Sequence, residues 1–249
     1  MFTVEMGRAF EFRKGRKMKR WDRMSKDFTR IGKEIVMAVK ESGSNPDTNS
    51  RLRTAIQNAK GVNMPKDRVE AAIKRATGKD EKDYQEVVYE GYGPHGVAIV
   101  VETATDNPTR TVSNVRMYFN RGNGALGTAG SSDYTFTRKG VFKLAAEGLD
   151  RDELELELID FGAEDVYETQ EEDEHGAEHA YIVVETAFTD FGQMQKAIES
   201  KGLNVVSATL QRVPNTTVTL TDEQAEEVEK LIEKFEEDDD VQAVYHTMG

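Results

Sequence analysis

Cysteine is absent from the 249 residues. Such a chain can build no disulfide framework, no thiol nucleophile and no cysteine-ligated metal or iron–sulfur site. Proline is scarce, at five residues, and tryptophan occurs once, at Trp21. There are four histidines: His95, His175, His179 and His246. None lies in a His-Glu-x-x-His zinc motif, and no Gly-x-Ser-x-Gly nucleophile turn is present. Long apolar runs are missing too. The longest aliphatic stretch is Val97-Ala98-Ile99-Val100-Val101, whereas a bilayer-spanning helix needs about 20 residues. No apolar segment follows Met1, so neither a secretory signal nor a membrane association is expected. The lack of cysteine suits a reducing cytoplasm.

What the chain does have is charge, unevenly placed. Residues 1–80 hold 20 Lys+Arg against 10 Asp+Glu, a net of +10, and residues 81–249 hold 13 against 36, a net of −23; together they give the total of −13. A basic head on an acidic body is a dipole. The head can neutralise phosphates while the body repels them, which restricts docking to one orientation. Within the head, Arg8 to Lys33 carries 11 basic residues against Glu11, Asp22 and Asp27.

Hydrophobic periodicity divides the chain further. From Ser25, apolar residues recur at helical steps (Phe28, Ile31, Ile35, Ala38, Val39) and Gly43 ends the run. A second helix follows Asn49 and stops at Gly61. A third begins near Asn63-Met64-Pro65, with Pro65 suited to the first turn, and stops at Gly78. Three short helices joined by tight turns read as a three-helix bundle. Beyond Tyr84 strands appear at 87–89 and 97–101, a helix follows Asn107-Pro108, and a glycine-rich loop, Gly122 to Gly130, leads to a strand at 134–136. Residues 141–210 read strand, helix, strand, strand, helix, strand, which is the ferredoxin-like order βαββαβ. The acidic tract Glu168 to Glu178 within it reads as a solvated hairpin loop. A strand at 216–220, a helix opened by Thr221 and Gln224, and a strand at 241–246 are too few to bury a core alone. They are expected to join residues 81–138. The expected architecture is therefore α+β and multidomain: a helical N-terminal domain (1–80), a discontinuous α/β domain (81–138 plus 214–249) and an inserted ferredoxin-like domain (139–213).

No catalytic constellation stands out. His175 and His179 are four apart but lie in the acidic loop, so no metal site is expected. Gly122-x-Gly124-x-x-Gly127 follows a helix and precedes a strand, the reverse of the context a dinucleotide-binding turn requires, so no cofactor is expected either. A flexible connector, or a backbone surface approached by a ligand, fits it better. Asn107 reads as a helix cap.

Three stretches carry a resemblance. Asn49 to Gly78, Tyr89 to Asn107 and Asn120 to Val141, with Asn63-Met64-Pro65-Lys66 and Tyr89-Glu90-Gly91-Tyr92-Gly93-Pro94 the most specific parts, resemble the YebC/PmpR family. That family includes the mitochondrial translational activator of cytochrome oxidase. It usually opens with His-Ser-Lys-Trp, where this chain has Gly7-Arg8-Ala9-Phe10. The resemblance implies three domains, one α/β domain inserted in the other, and a cytoplasmic protein that is not an enzyme. It implies most often a DNA-binding transcriptional regulator and in other members a ribosome-associated factor.

The basic head is the expected nucleic-acid site: Arg8, Arg13, Lys14, Arg16, Lys17, Lys19, Arg20 and Arg23, with Arg51, Arg53 and Lys60 next. Such contacts position a protein on phosphates without reading sequence. Under the alternative reading the same cluster binds ribosomal RNA in a translation factor that relieves stalling, and Phe10, Phe12 or Trp21 stacks on bases. In that reading the Gly91–Gly96 turn and the glycine loop are contact surfaces. A third class is a scaffold whose acidic α/β body binds a protein partner.

Overall fold

The computed structural model describes residues 5–78, 83–132, 134–172 and 177–249, with side chains from Met24 onward except that of Glu172. Among the described residues there are seven α-helices and two four-stranded antiparallel sheets, an α+β protein. No described helix is long and apolar enough to cross a membrane.

The head is built from α1 (Glu5–Ser42), α2 (Ser50–Gly61) and α3 (Lys66–Ala76). Ile31, Ile35, Ala38 and Val39 of α1 pack against Leu52, Ala55 and Ala59 of α2 and against Val69, Ala72 and Ala76 of α3. One buried side chain organises the first turn. Asn49 accepts from the Leu52 amide at 3.0 Å and donates to the carbonyls of Ala38 and Gly43 at 2.7 and 2.8 Å. It therefore caps the start of α2 and the end of α1 together. Pro65 is the N-cap of α3 rather than a residue of its first turn. Helix α1 begins at Glu5, twenty residues before the expected start at Ser25. The added stretch is rich in strong helix formers but has no apolar stripe to betray it.

The first sheet holds β1 (Gln85–Tyr92), β2 (Ala98–Thr105), β3 (Ala125–Leu126) and β8 (Val241–His246), in the order β3-β1-β2-β8. Helices α4 (Pro108–Arg121) and α7 (Asp222–Glu236) cover one face. Val115, Phe119, Val228, Leu231 and Phe235 meet Tyr89, Val97, Ile99, Val101 and Val241 there. The Phe119 and Phe235 rings are 4.8 Å apart. The glycine loop is not a free connector. Its short β3 pairs with β1 at Gly91 and Tyr92, and a Cβ on Gly124 would run into the Tyr92 carbonyl oxygen.

The second sheet holds β4 (Phe136–Ala145), β5 (Ala163–Glu172), β6 (Glu178–Ala187) and β7 (Val205–Pro214), in the order β5-β6-β4-β7. Helices α5 (Arg151–Leu158) and α6 (Phe191–Ser200) lie on one face over Phe142, Leu144, Val166, Ile182 and Val184. Asp150 caps α5 by accepting from the Glu153 amide at 2.9 Å.

Several expectations are corrected. The strand at 134–136 is not a separate element of the first sheet. Tyr134 is 97% exposed, and Phe136 starts β4, which runs unbroken through Arg138-Lys139-Gly140 because β7 pairs along its whole length. Gly140 permits this course, since a Cβ there would stand 2.7 Å from the Phe191 ring. The strand at 216–220 shrinks to a single parallel bridge between Val218 and Met248. The acidic tract is mostly paired strand, with Glu171 opposite His179 and Glu172 opposite Glu178. His175 lies outside the described residues.

Candidate nucleic-acid interface

Helix α1 is held to the first sheet by buried charge. Lys33 donates to the carbonyls of Ala104 and Asp239, both at 2.8 Å, and to Asp240 Oδ1 at 3.0 Å. Asp240 Oδ2 accepts from Arg110 at 2.6 Å, Thr111 Oγ1 at 2.9 Å and Thr105 Oγ1 at 3.1 Å. Burial alone would raise the Asp240 carboxyl, but the hydrogen bonds from Arg110, Lys33 and Thr111 outweigh it and hold the pKa at about 2. One turn earlier, Arg30 donates to the carbonyls of Val241 and Glu236 at 3.1 and 3.2 Å. Two of the cations between Arg8 and Lys33 thus belong to the attachment of α1.

Arg8, Arg13, Lys14, Arg16, Lys17, Lys19, Arg20 and Arg23 all lie on α1 ahead of its packed part. Their side chains, like those of Phe10, Phe12 and Trp21, lie outside the described ones. The helical backbone still fixes their spacing. Positions 13, 16, 17, 20 and 23 recur at three- and four-residue steps and share one face.

Arg51 and Arg53 of α2 face acceptors within the protein. Arg51 pairs with Glu41 at 3.0 Å and with Glu86 of β1. Burial pushes the nearby Glu34 carboxyl above its ordinary range, with Arg51 opposing. Arg53 donates to Glu199 at 3.1 Å and to the Pro46 carbonyl at 2.9 Å. Both dock the head on the body. Lys60 is exposed in the last turn of α2.

Two residues outside the expected set stand at a groove of about 330 Å³ between α1 and α3. Arg68 and Arg75, two helical turns apart, are exposed along it, opposite Ser25, Thr29 and Gly32. The Arg68 guanidinium lies 5.5 Å from the Phe28 ring centroid. Neither arginine forms an ion pair with a described carboxylate. Their seven-residue spacing on one flank of the apolar stripe Val69, Ala72, Ala76 was the available sequence signal.

The glycine loop is tethered from below. Glu90 of β1 accepts from the Ser132 amide and hydroxyl, both at 2.7 Å, and from the Gly130 amide at 3.2 Å. Burial works to raise this carboxyl, yet the hydrogen bonds from Ser132 and Gly130 bring it below the ordinary range. Thr128, Ala129 and Gly130 remain exposed on the anchored loop.

A family model described as the TACO1/YebC protein N-terminal domain matches residues 8–79, and one described as the TACO1/YebC second and third domain matches residues 84–248. A Cytophaga hutchinsonii protein named "Probable transcriptional regulatory protein" is 63% identical over 244 residues, covering 98% of this chain and 99% of its own. A Flavobacterium johnsoniae protein of the same name is 59% identical over 243 residues, with 98% and 99% covered. The crystal structure of a conserved hypothetical protein from Aquifex aeolicus superimposes with a TM-score of 0.76 at 36% identity, covering 90% of each chain. The two family models account for the chain from the basic helix to the last strand, and the chain belongs to the TACO1/YebC family.

Proposed function

We propose that this protein is a cytoplasmic, non-enzymatic, nucleic-acid-binding regulator, and that it acts on transcription by binding DNA. The carrying observation is the row of cations on α1 between Arg8 and Arg23, extended by Arg68 and Arg75 of α3. Their opposite pole is the body at −23. Lysine and arginine displace condensed counterions from phosphates, and the acidic body turns the protein head-first. In this reading the chain has three domains, and the sheet β5-β6-β4-β7 with α5 and α6 is the inserted ferredoxin-like one.

The test is a fluorescence-anisotropy titration on duplex DNA at three salt concentrations. With roughly six phosphate contacts, affinity falls about a thousandfold between 50 and 200 mM salt. Changing Arg13, Lys14, Lys17 and Arg20 together to Ala flattens the slope and weakens all sequences alike. A flat salt response from the parent protein sinks the reading.

A second reading, a ribosome-associated RNA-binding factor that relieves stalling, is favoured by one observation. Phe188 is 41% exposed with the Arg138 guanidinium 4.0 Å above its ring, a pair suited to an unpaired base. Sucrose-gradient fractionation of a lysate separates the two: co-migration with ribosomes that survives DNase but not RNase selects the RNA reading.

A further inference from the structure

A crevice of about 670 Å³ opens where the helical head, β8 and the ends of β4 and β7 meet. Small-ligand sites span roughly 300–1,000 Å³ and favour junctions between structural units. The walls of this one are pinned. Asn58 of α2 donates to the Ala208 carbonyl of β7 at 2.9 Å and accepts from its amide at 2.8 Å. Gln195 of α6 donates to Thr54 Oγ1 of α2 at 2.8 Å.

Three features of the lining go beyond what its packing needs. First, Arg138 and Arg212 are direct cross-strand neighbours on β4 and β7. Like charges in that position repel. Only one is answered: Arg212 donates to Glu102 at 2.8 Å, while Arg138 forms no ion pair with a described residue. Second, the Arg138 guanidinium lies over the exposed Phe188 ring, a flat cationic and aromatic surface at the crevice. Third, Gly192 of α6 lines the crevice with no atom within 4 Å of where a Cβ would stand. Glycine loses more conformational freedom on folding than any other residue, and no neighbour requires one here.

A surplus cation stacked on a ring, beside a second cation and lining the same crevice as the open space at Gly192, suits a ligand that is planar at one end and anionic at the other. We propose that the crevice is a nucleotide site, in which the base stacks on the Arg138–Phe188 pair and a phosphate answers the unpaired charge of Arg138. A free nucleotide and one nucleotide of an unpaired strand share this chemistry. The strand form rests on the nucleic-acid reading above, and the free form stands without it.

The experiment titrates the full chain calorimetrically with AMP, ATP, an eight-residue adenylate oligonucleotide and inorganic phosphate, and measures duplex DNA binding alongside. Arg138→Ala and Phe188→Ala are each expected to weaken nucleotide or oligonucleotide binding about five- to a hundredfold, the range for one stacked base. Gly192→Leu fills the open space and is expected to abolish that binding, with a thermal midpoint equal to or above the parent's. All three variants keep the parent's duplex affinity. Binding of the oligonucleotide alone marks an unpaired strand as the source. Binding of AMP or ATP that survives the Arg13, Lys14, Lys17, Arg20 change marks a free nucleotide, even where salt-dependent duplex binding fails. The proposal is overturned when no nucleotide or oligonucleotide binds more tightly than phosphate, or when the three variants bind as the parent does.

Discussion

Arg51 and Arg68 are both arginines on short helices of the head, and their surroundings differ in kind. Arg51 sits between Glu41 and Glu86, with Glu34 close by. Arg68 has the Phe28 ring beneath it and a groove beside it, with no described carboxylate in reach. The same contrast runs through the whole head. On the side turned to the body, Arg30, Lys33, Arg51 and Arg53 meet carbonyls and carboxylates. Along the groove between α1 and α3, Arg68 and Arg75 are left open. A net charge of +10 is therefore two populations, one that fastens the head and one available to an outside anion. Counting basic residues does not separate them; the position of each acceptor does.

The contrast is most easily broken at Asp240. Asp240→Ala removes the carboxylate between Lys33 and Arg110 and leaves Lys33 buried without its counter-charge. Breaking a buried pair from one side costs about 3–5 kcal/mol, so urea unfolding is expected to show a loss of that size. A loss below about 1 kcal/mol would show that the fastening role is wrong.

Acid probes the same carboxylate more gently. Its folded pKa of about 2 lies below the ordinary 3.8. The stability it contributes is complete above about pH 4 and is lost as pH falls from there towards 2. The shift corresponds to about 2 kcal/mol. Unfolding measured between pH 5 and 2 is expected to show this acid-sensitive component in the parent and to lack it in Asp240→Asn.

Arginine exchanges across the two populations sharpen the comparison with smaller effects. Arg51→Ala is expected to lower stability by about 1 kcal/mol, since it parts a half-exposed pair, and to leave the DNA salt slope unchanged. Arg68→Ala with Arg75→Ala is expected to do the opposite. Stability stays within about 0.5 kcal/mol, and the slope of log K against log salt falls by about 2, at roughly 0.9 per phosphate. Equal effects from both changes would erase the distinction.

Local chemistry explains which parts of this were legible in the sequence. The caps at Asn49, Asp150 and Thr221 act on amides three residues on, so each helix start was readable beside its cap. Buried stripes such as Val228, Leu231 and Phe235 follow the helical period and were equally plain. What needed a distant partner was not. Lys33 meets Asp240 from 207 positions away, and β4 owes its first residues to pairing with β7. The early half of α1 escaped notice because its residues favour helix without forming an apolar face. At the candidate site, the cations on α1 were visible as composition. The division of the remainder into fastened and open was not, because spacing fixes a face of a helix but not what lies across from it.

The entry to the second sheet has a consequence for how the chain closes around it. The chain enters at Phe136 and leaves at Pro214, and these two residues are direct partners in the ladder. Just outside, the Asn215 amide donates to the Thr135 carbonyl at 2.8 Å, and the Asn215 side chain donates to the Tyr134 carbonyl at 2.9 Å. The flanking chain is therefore already stitched into something close to a tight turn before the intervening sheet is considered. Because the two ends meet in this way, the chain returns to the first sheet without a long crossing, and closing that return costs little loop entropy.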